Sequence, residues 1–333
     1  MNWLSFFNSF EQWSNNILGG FHMKKALVLG ASGGMGYALV NELISRGTQV
    51  IAFARSEQKL KNLYEERQGV TIKIGDVFNL QDIVSAADSV DVIFQAANIP
   101  YPDWKEKLVP FIGNVLKTAE IQKTKLVLIE NIYAYGRSPG VKVTENTLKR
   151  PHTKKGKIRL EVENLVKQSS VPTTIVHFPD FYGPNAENTL LHFTLKDAIR
   201  NKKAMFVGDQ TIAREFIYTP DGARTAVNLA MHENAYGQNF NISGYDVIAG
   251  KEIIQIIREL SKYNKSVSTI SKNHFRLLGI FNAGMREMVE MFYLNEEPVV
   301  LDGTKYEKEI GPLPRTSYRE GLKQTIAYMN SKN

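Results

Sequence analysis

From residue 24 onward, short apolar runs alternate with stretches whose apolar residues recur at three and four positions. That pattern describes strands buried on both faces with helices packed over them. Ala26–Leu29 is an apolar run of strand length that stops at a glycine. Tyr37–Ser45 then carries Leu39, Val40, Leu43 and Ile44 at helical spacing, and Val50–Phe53 is the next strand. The alternation continues through strand Val70–Ile74, helix Leu80–Ala87, strand Asp91–Phe94 and a helix through Glu120. Strand Lys125–Ile129, helix Ile158–Val166 and strand Thr173–Phe178 come next. The pattern predicts an α/β fold with a doubly wound, mostly parallel sheet and right-handed crossovers. After Pro179 the pattern loosens. A turn is expected at 181–184, helices at Leu190–Asn201, Gly222–Met231, Lys251–Lys262 and Tyr318–Asn330, and short strands at Glu215–Tyr218 and Asn239–Ile242. Residues 23–180 are therefore read as one domain and 181–333 as a smaller C-terminal substrate lobe.

Between the first strand and the first helix stands GASGGMG, residues 30–36. A strand, a glycine-rich turn and a helix form a Rossmann-type unit that holds a dinucleotide. The helix N-terminus offers free N–H groups and a positive dipole end to the pyrophosphate. Gly30 turns the chain off the strand, Gly33 removes a side chain where the pyrophosphate approaches, and Gly36 lets helix and strand pack closely. Ser32, Gly34 and Met35 belong to the same cradle. The spacing is GxxGxxG, and the usual place for a ribose-binding acid, some 20 residues on, holds Ala54, followed by Arg55-Ser56. A guanidinium fork suits a 2′-phosphate, so NADP is expected over NAD. Asp76 is placed to accept from an adenine amino group or, equally, to cap the next helix, with Val77 beside it. Ala96 and Ala97 are small enough to let the cofactor lie against the backbone.

The 333 residues are 43% hydrophobic and 23% charged, an ordinary globular composition with ample core. With no cysteine there is no disulfide framework or thiolate site. The six histidines include no pair at metal-ligand spacing on a helix, so no metal is expected. The net charge of +7 is dispersed and lacks a nucleic-acid motif. An anionic cofactor explains it more economically, and no nucleic-acid partner is expected. No apolar run of about 18 residues occurs, so neither a membrane span nor a location outside the cytoplasm is expected. Residues 1–22 carry no lysine or arginine and differ in character from the remainder of the chain. Met23 is expected to be the natural start, with residues 1–22 an over-extended reading of the gene.

These features resemble the extended and atypical short-chain dehydrogenase/reductases, the NAD-dependent epimerase/dehydratase group, over about residues 24–330. The resemblance rests on GASGGMG, Gly75-Asp76-Val77, Ala96-Ala97, Ala134-Tyr135-Gly136, Phe181-Tyr182-Gly183-Pro184 and the stretch from Arg214 to Asp221. It implies a Ser/Thr after the fifth strand and a Tyr-x-x-x-Lys pair on the next helix. The tyrosine moves the proton, and the lysine lowers its pKa and holds the nicotinamide ribose. Counting from neighbouring residues puts Asn131 at the hydroxyl position, Thr153 at the tyrosine position and Lys157 at the lysine position. The local text Glu130-Asn131-Ile132-Tyr133-Ala134-Tyr135-Gly136, then Lys155-Gly156-Lys157-Ile158-Arg159, resembles an atypical subgroup with K-G-x-x-R. Tyr133 is the candidate proton donor, or else a packing aromatic with Tyr135. Asn131 is a candidate donor to a substrate oxygen, and Lys157 a candidate ribose ligand. His152 is a further candidate acid, and His177 is expected to be structural. Tyr101, Trp104 and Tyr182 are candidate substrate contacts. The resemblance also implies a homodimer through helices near 105–120 and 156–167, where Val109, Ile112 and Leu116 form a stripe that suits either a partner or the sheet. Two functions remain: an NAD(P)-dependent reductase or epimerase acting on a small polar carbonyl or hydroxyl, sugar nucleotides included, or a non-catalytic sensor of NADP(H).

Overall fold

Seven parallel strands form the central sheet of the computed structural model, which describes residues 23–332. The expectation about residues 1–22 lies outside the described residues. The strands are β1 (Lys25–Leu29), β2 (Gln49–Ala54), β3 (Val70–Ile74), β4 (Val92–Gln95), β5 (Lys125–Asn131), β6 (Thr173–Phe178) and β10 (Asn239–Asn241). Their order is β10-β6-β5-β4-β1-β2-β3. Strand β1 pairs with β2 on one side and β4 on the other, so the winding reverses there and opens a crevice at the carboxyl ends.

Alternate side chains of β1 feed two separate cores. Ala26 and Val28 pack with Leu39 and Leu43 of helix α1 (Gly34–Ser45). Leu27 and Leu29 face the other way, toward helices α4 (Trp104–Gln122) and α5 (Lys154–Gln168), through Phe111, Val115, Val162 and Val166. Helices α2 (Glu57–Tyr64) and α3 (Leu80–Ala86) complete the layers. The α4 stripe is spent on this core. Ile112 and Leu116 are buried against the sheet, with Val109 packed at its edge.

The C-terminal lobe departs most from the pattern reading. Residues 180–182, expected inside a turn, form strand β7 (Asp180–Tyr182), which runs parallel to β9 (Ala213–Tyr218). Strand β11 (Val247–Ala249) joins the other edge of β9, and β8 (Ala204–Val207) pairs with β12 (Val267–Ile270). Strands of three or four residues are too short for a period of two to be recognised in sequence. Two further helices, Lys272–Leu278 and Ala283–Met288, make a hairpin that leans on the loop after β4.

Candidate functional site

The glycine loop has the steric logic expected of it. Gly30 sits at φ +82°, and a Cβ there would stand 2.5 Å from the Cα of Ala97. A Cβ on Gly36 would stand 2.1 Å from the carbonyl oxygen of Gly30, inside any tolerable contact. Gly33 caps α1, and a Cβ there would meet the Gly30 carbonyl oxygen at 3.5 Å, an ordinary contact, so its own position is not sterically closed. Gly30, Ser32, Gly33, Gly34 and Met35, together with Arg55, Val77, Ala96 and Ala97, line a cleft of about 480 Å³. Gly36 lies just beneath it. Ser56, Lys59 and the loop from Asn185 to Thr189 also line the cleft, and the sequence reading did not assign them. Asp76 is placed differently. Its carboxylate accepts the Phe78 N–H at 3.1 Å, its own N–H donates to Asp82, and it does not line the cleft. Asp76 thus holds the turn before the next helix, whose N-cap is Asn79, so neither the expected adenine contact nor the expected cap is what the structure shows.

A second cavity of about 620 Å³ adjoins the first and shares Arg55, Asn98, Ile99, Phe181, Asn188 and Thr189 with it. Tyr133 stands on its wall, carried by a single 3-10 turn after β5. Asn131 accepts the Tyr133 N–H at 3.0 Å and so holds that turn, and it also lines the cavity. The hydroxyls of Tyr133 and Tyr101 are 2.6 Å apart. Burial pushes the Tyr133 phenol well above the usual tyrosine range, and raises Tyr101 as well, with the Arg159 guanidinium opposing both.

Helix α5 corrects the register expected for the tyrosine–lysine pair. Thr153 is the N-cap of α5, its hydroxyl accepting the Gly156 N–H at 3.0 Å. Lys157, expected at the nicotinamide ribose, is exposed and shares an outer groove with Val109 and Leu160. Starting a helix at a cap sets which residues face inward, and here those are Lys155 and Arg159, with the same four-residue spacing. Arg159 donates to Glu130 at 2.9 Å and stacks 4.1 Å over the Trp104 ring. Lys155 is 2% exposed, lies 5.2 Å over the Tyr101 ring, and pairs with Glu287 and with Glu290, the latter at 2.8 Å. The K-G-x-x-R text contained this pair, and only the helix start shows which lysine faces inward.

The substrate candidates divide. Tyr101 lines the cavity. Trp104 also reaches its wall but is 1% exposed and donates its indole N–H to Ile99 at 2.9 Å, which makes it a buttress. Tyr182 is a correction. Alternation along β7 turns Phe181 to the cavity and sends Tyr182 into the lobe core, where it packs on Tyr218 and Tyr318. Tyr135 likewise faces away, donating to Asn241 at 2.7 Å. His152 is an exposed residue against Tyr293. His177 is buried with Lys149 and Glu163, and burial lowers its pKa to about 4. No group of three or more His, Asp or Glu able to hold a metal occurs among the described residues, and no described helix is long and apolar enough to cross a membrane.

A family model described as NAD(P)H-binding matches residues 30–214, more than half of the chain and the whole of the cleft's sheet side. The chain belongs to this NAD(P)H-binding family. Among curated relatives, UDP-N-acetyl-alpha-D-glucosaminuronate decarboxylase of Bacillus cytotoxicus is 23% identical over 92% of this chain and 97% of its own length. A 4-hydroxy-2-methyl-3-oxo-4-farnesyl-3,4-dihydroquinoline-1-oxide ketoreductase of Stigmatella aurantiaca is 23% identical over 90% and 94%. A 2-alkyl-3-oxoalkanoate reductase of Shewanella oneidensis is 31% identical over 35% of this chain and 29% of its own. Among solved structures, UDP-glucuronic acid 4-epimerase of Bacillus cereus, in complex with UDP-glucuronic acid and NAD, superposes with a TM-score of 0.76 at 20% identity. It covers 93% of this chain and 100% of that one. The dTDP-glucose 4,6-dehydratase of Bacillus anthracis with NAD gives 0.76 at 18% identity, over 92% and 97%. The fold is that of the extended short-chain dehydrogenase/reductases.

Proposed function

We propose that the protein is an NADP(H)-dependent oxidoreductase that interconverts a carbonyl and a hydroxyl on a small-molecule substrate, with Tyr133 as proton donor. The observation that carries this reading is the Tyr133–Tyr101 hydroxyl pair facing a cavity that opens into the nucleotide cleft. The cleft's residues fit a dinucleotide. Gly30 and Gly36 leave no room for a side chain, Gly33 puts none at the start of α1, and the N-terminus of α1 supplies donors for a pyrophosphate. Arg55 and Ser56 just after β2, with Lys59 in the first turn of α2, would hold a 2′-phosphate, and no acid stands at the end of β2 to repel it. When bound, the cofactor supplies or accepts hydride at the substrate carbon.

The chain's own residues do the rest. Tyr133 gives its phenolic proton to the carbonyl oxygen as the C–H bond forms, and takes it back in the reverse direction. Tyr101, in hydrogen-bond contact, stabilises the Tyr133 phenolate by donating to its oxygen until solvent water returns the proton. Asn131 positions the Tyr133 turn, and Arg159 lowers the cost of a transient phenolate. The names of relatives include both sugar-nucleotide enzymes and ketoreductases, so the substrate's carbonyl or hydroxyl is the shared chemistry. A homodimer through the outer faces of α4 and α5 remains part of this proposal.

One feature favours the alternative of a non-catalytic NADP(H) sensor: the inward pair on α5 is Lys155 and Arg159, both engaged in ion pairs. The deciding experiment is a fluorescence titration with NADPH and NADH, followed by NADPH oxidation with a carbonyl panel for wild type and Tyr133→Phe. Selective NADPH binding with turnover abolished by the substitution supports the enzyme. Binding without turnover on any carbonyl supports the sensor, and binding of neither dinucleotide overturns both.

A further inference from the structure

We infer that the substrate is a ketone or secondary alcohol carried on an apolar chain rather than on a nucleotide sugar. The inference rests on the oxidoreductase reading and names the substrate class for the same cavity. Sequence reading anticipated a small polar substrate, yet the cavity's lining includes Phe178, Phe181, Leu190, Phe193, Phe275 and Met291, beside a few uncharged polar side chains such as Asn98, Asn131 and Asn188. Burying apolar surface is the main source of affinity such a wall offers, and methionine adapts to irregular chains.

The charges point the same way. Among the described residues, only two of the lining side chains are charged, Arg55 and Asp180. Arg55 also lines the nucleotide cleft, where the cofactor's phosphate claims it. Asp180 is a carboxyl, which would repel a diphosphate. Cations behind the wall are already engaged, Lys155 with Glu287 and Glu290 and Arg159 with Glu130. Arg214 is 5% exposed, faces Asp180 at 3.5 Å, donates to Asn295, stacks 4.9 Å over the Phe216 ring, and keeps its buried Nη2 without a hydrogen-bond partner. A diphosphate in this cavity would meet the Asp180 carboxyl first, with Arg214 behind it as a single cation outside the lining.

The hairpin 272–288 adds an independent observation. Phe275 and Met288 from its two helices face the cavity, whereas Leu277, Leu278, Ile280 and Phe281 at its tip are exposed, Phe281 by 90%. Four large apolar side chains in solvent on the element that walls the cavity extend an apolar surface beyond it.

The test is calorimetric binding to the NADPH-loaded full chain of 2-butanone, 2-heptanone, 2-undecanone and UDP-glucose. Affinity should rise about fourfold per added methylene until the cavity is filled, with UDP-glucose the weakest ligand. Phe193→Asp, at a half-exposed position that does not threaten folding, should weaken 2-undecanone by more than tenfold while NADPH affinity holds. Met291→Trp should shift the preferred ketone to a shorter chain, a gain that damaged folding cannot mimic. A flat dependence on chain length, or UDP-glucose binding tighter than 2-undecanone, overturns the inference. Tight binding of long ketones without NADPH oxidation keeps the inference and sinks the oxidoreductase reading. Turnover of short polar carbonyls with no chain-length preference does the reverse.

Discussion

The hydroxyl of Tyr133 lies 2.6 Å from the hydroxyl of Tyr101, joining the turn after β5 to the loop after β4. One phenol donates and the other accepts, so in the proposed reaction the Tyr101 hydroxyl would donate to the Tyr133 oxygen as its proton leaves. Burial keeps both phenols protonated but also makes them weaker acids, a cost that the Arg159 guanidinium opposes. The proposed chemistry thus depends on a contact between residues 32 positions apart in sequence.

Tyr133→Phe is expected to lower kcat/KM for carbonyl reduction by about 10²–10⁴, the usual share of a general acid. NADPH affinity should stay within twofold of wild type. Tyr101→Phe should cost less, since Tyr133 keeps its own proton. Steady-state NADPH oxidation with paired binding titrations reads both.

Arg55→Glu is expected to reverse coenzyme preference. A carboxylate repels a 2′-phosphate and accepts from ribose hydroxyls, so NADPH affinity should fall by about 10²-fold, a change of roughly 3 kcal/mol, while NADH improves. Equal affinity of the wild type for both dinucleotides would remove the basis of the NADP assignment.

Lys157→Ala and Arg159→Ala separate the two registers of α5. Lys157 is exposed, so its loss should shift stability by no more than about 0.5 kcal/mol and leave NADPH binding unchanged. Arg159→Ala leaves the Glu130 carboxylate buried without its cation and should cost about 3–5 kcal/mol. Urea denaturation distinguishes them, and a large loss of NADPH affinity in Lys157→Ala would restore the register counted from sequence.

Acidification should destabilise the protein through His177. Its folded pKa, about 4, lies below its ordinary 6.5, so the unfolded chain binds more protons between those values. Stability from this group is complete above pH 6.5 and is lost as pH falls toward 4, by roughly 3 kcal/mol at most. Glu163, held low by His177 and Lys149, adds a loss in the same direction below its ordinary 4.5. His177→Gln should flatten urea midpoints measured from pH 7 to pH 4.5, and an unchanged slope would refute the assignment.

Gly30→Ala should destabilise by about 1–3 kcal/mol, because an L side chain at φ +82° is strained and its Cβ would overlap the Ala97 backbone. Loss of NADPH binding should accompany it, since the loop must move to relieve the contact.

Much of the nucleotide half was legible in the residues themselves. Strand β1 falls where the apolar run does, because a strand buried on both faces reads as a continuous apolar stretch. The roles of Gly30 and Gly36 were also legible, since only the absence of a Cβ satisfies such contacts. The facing of α5 was not, because two lysines two residues apart are equivalent until Thr153 starts the helix. The direction of Tyr182 was hidden for a related reason: a strand of three residues, β7, carries no periodicity of its own.

What the sequence determined by itself was the alternation of strands and helices in the nucleotide half and the need for glycine in the turn after β1, both carried by short local patterns. The tertiary structure alone decided that Tyr101 meets Tyr133, that Lys155 and Arg159 face inward, and that Phe275 and Met291 wall the cavity built at the ends of β4, β5 and β6. Those contacts join segments up to about 200 residues apart, and no local pattern encodes which distant surface an apolar side chain will find.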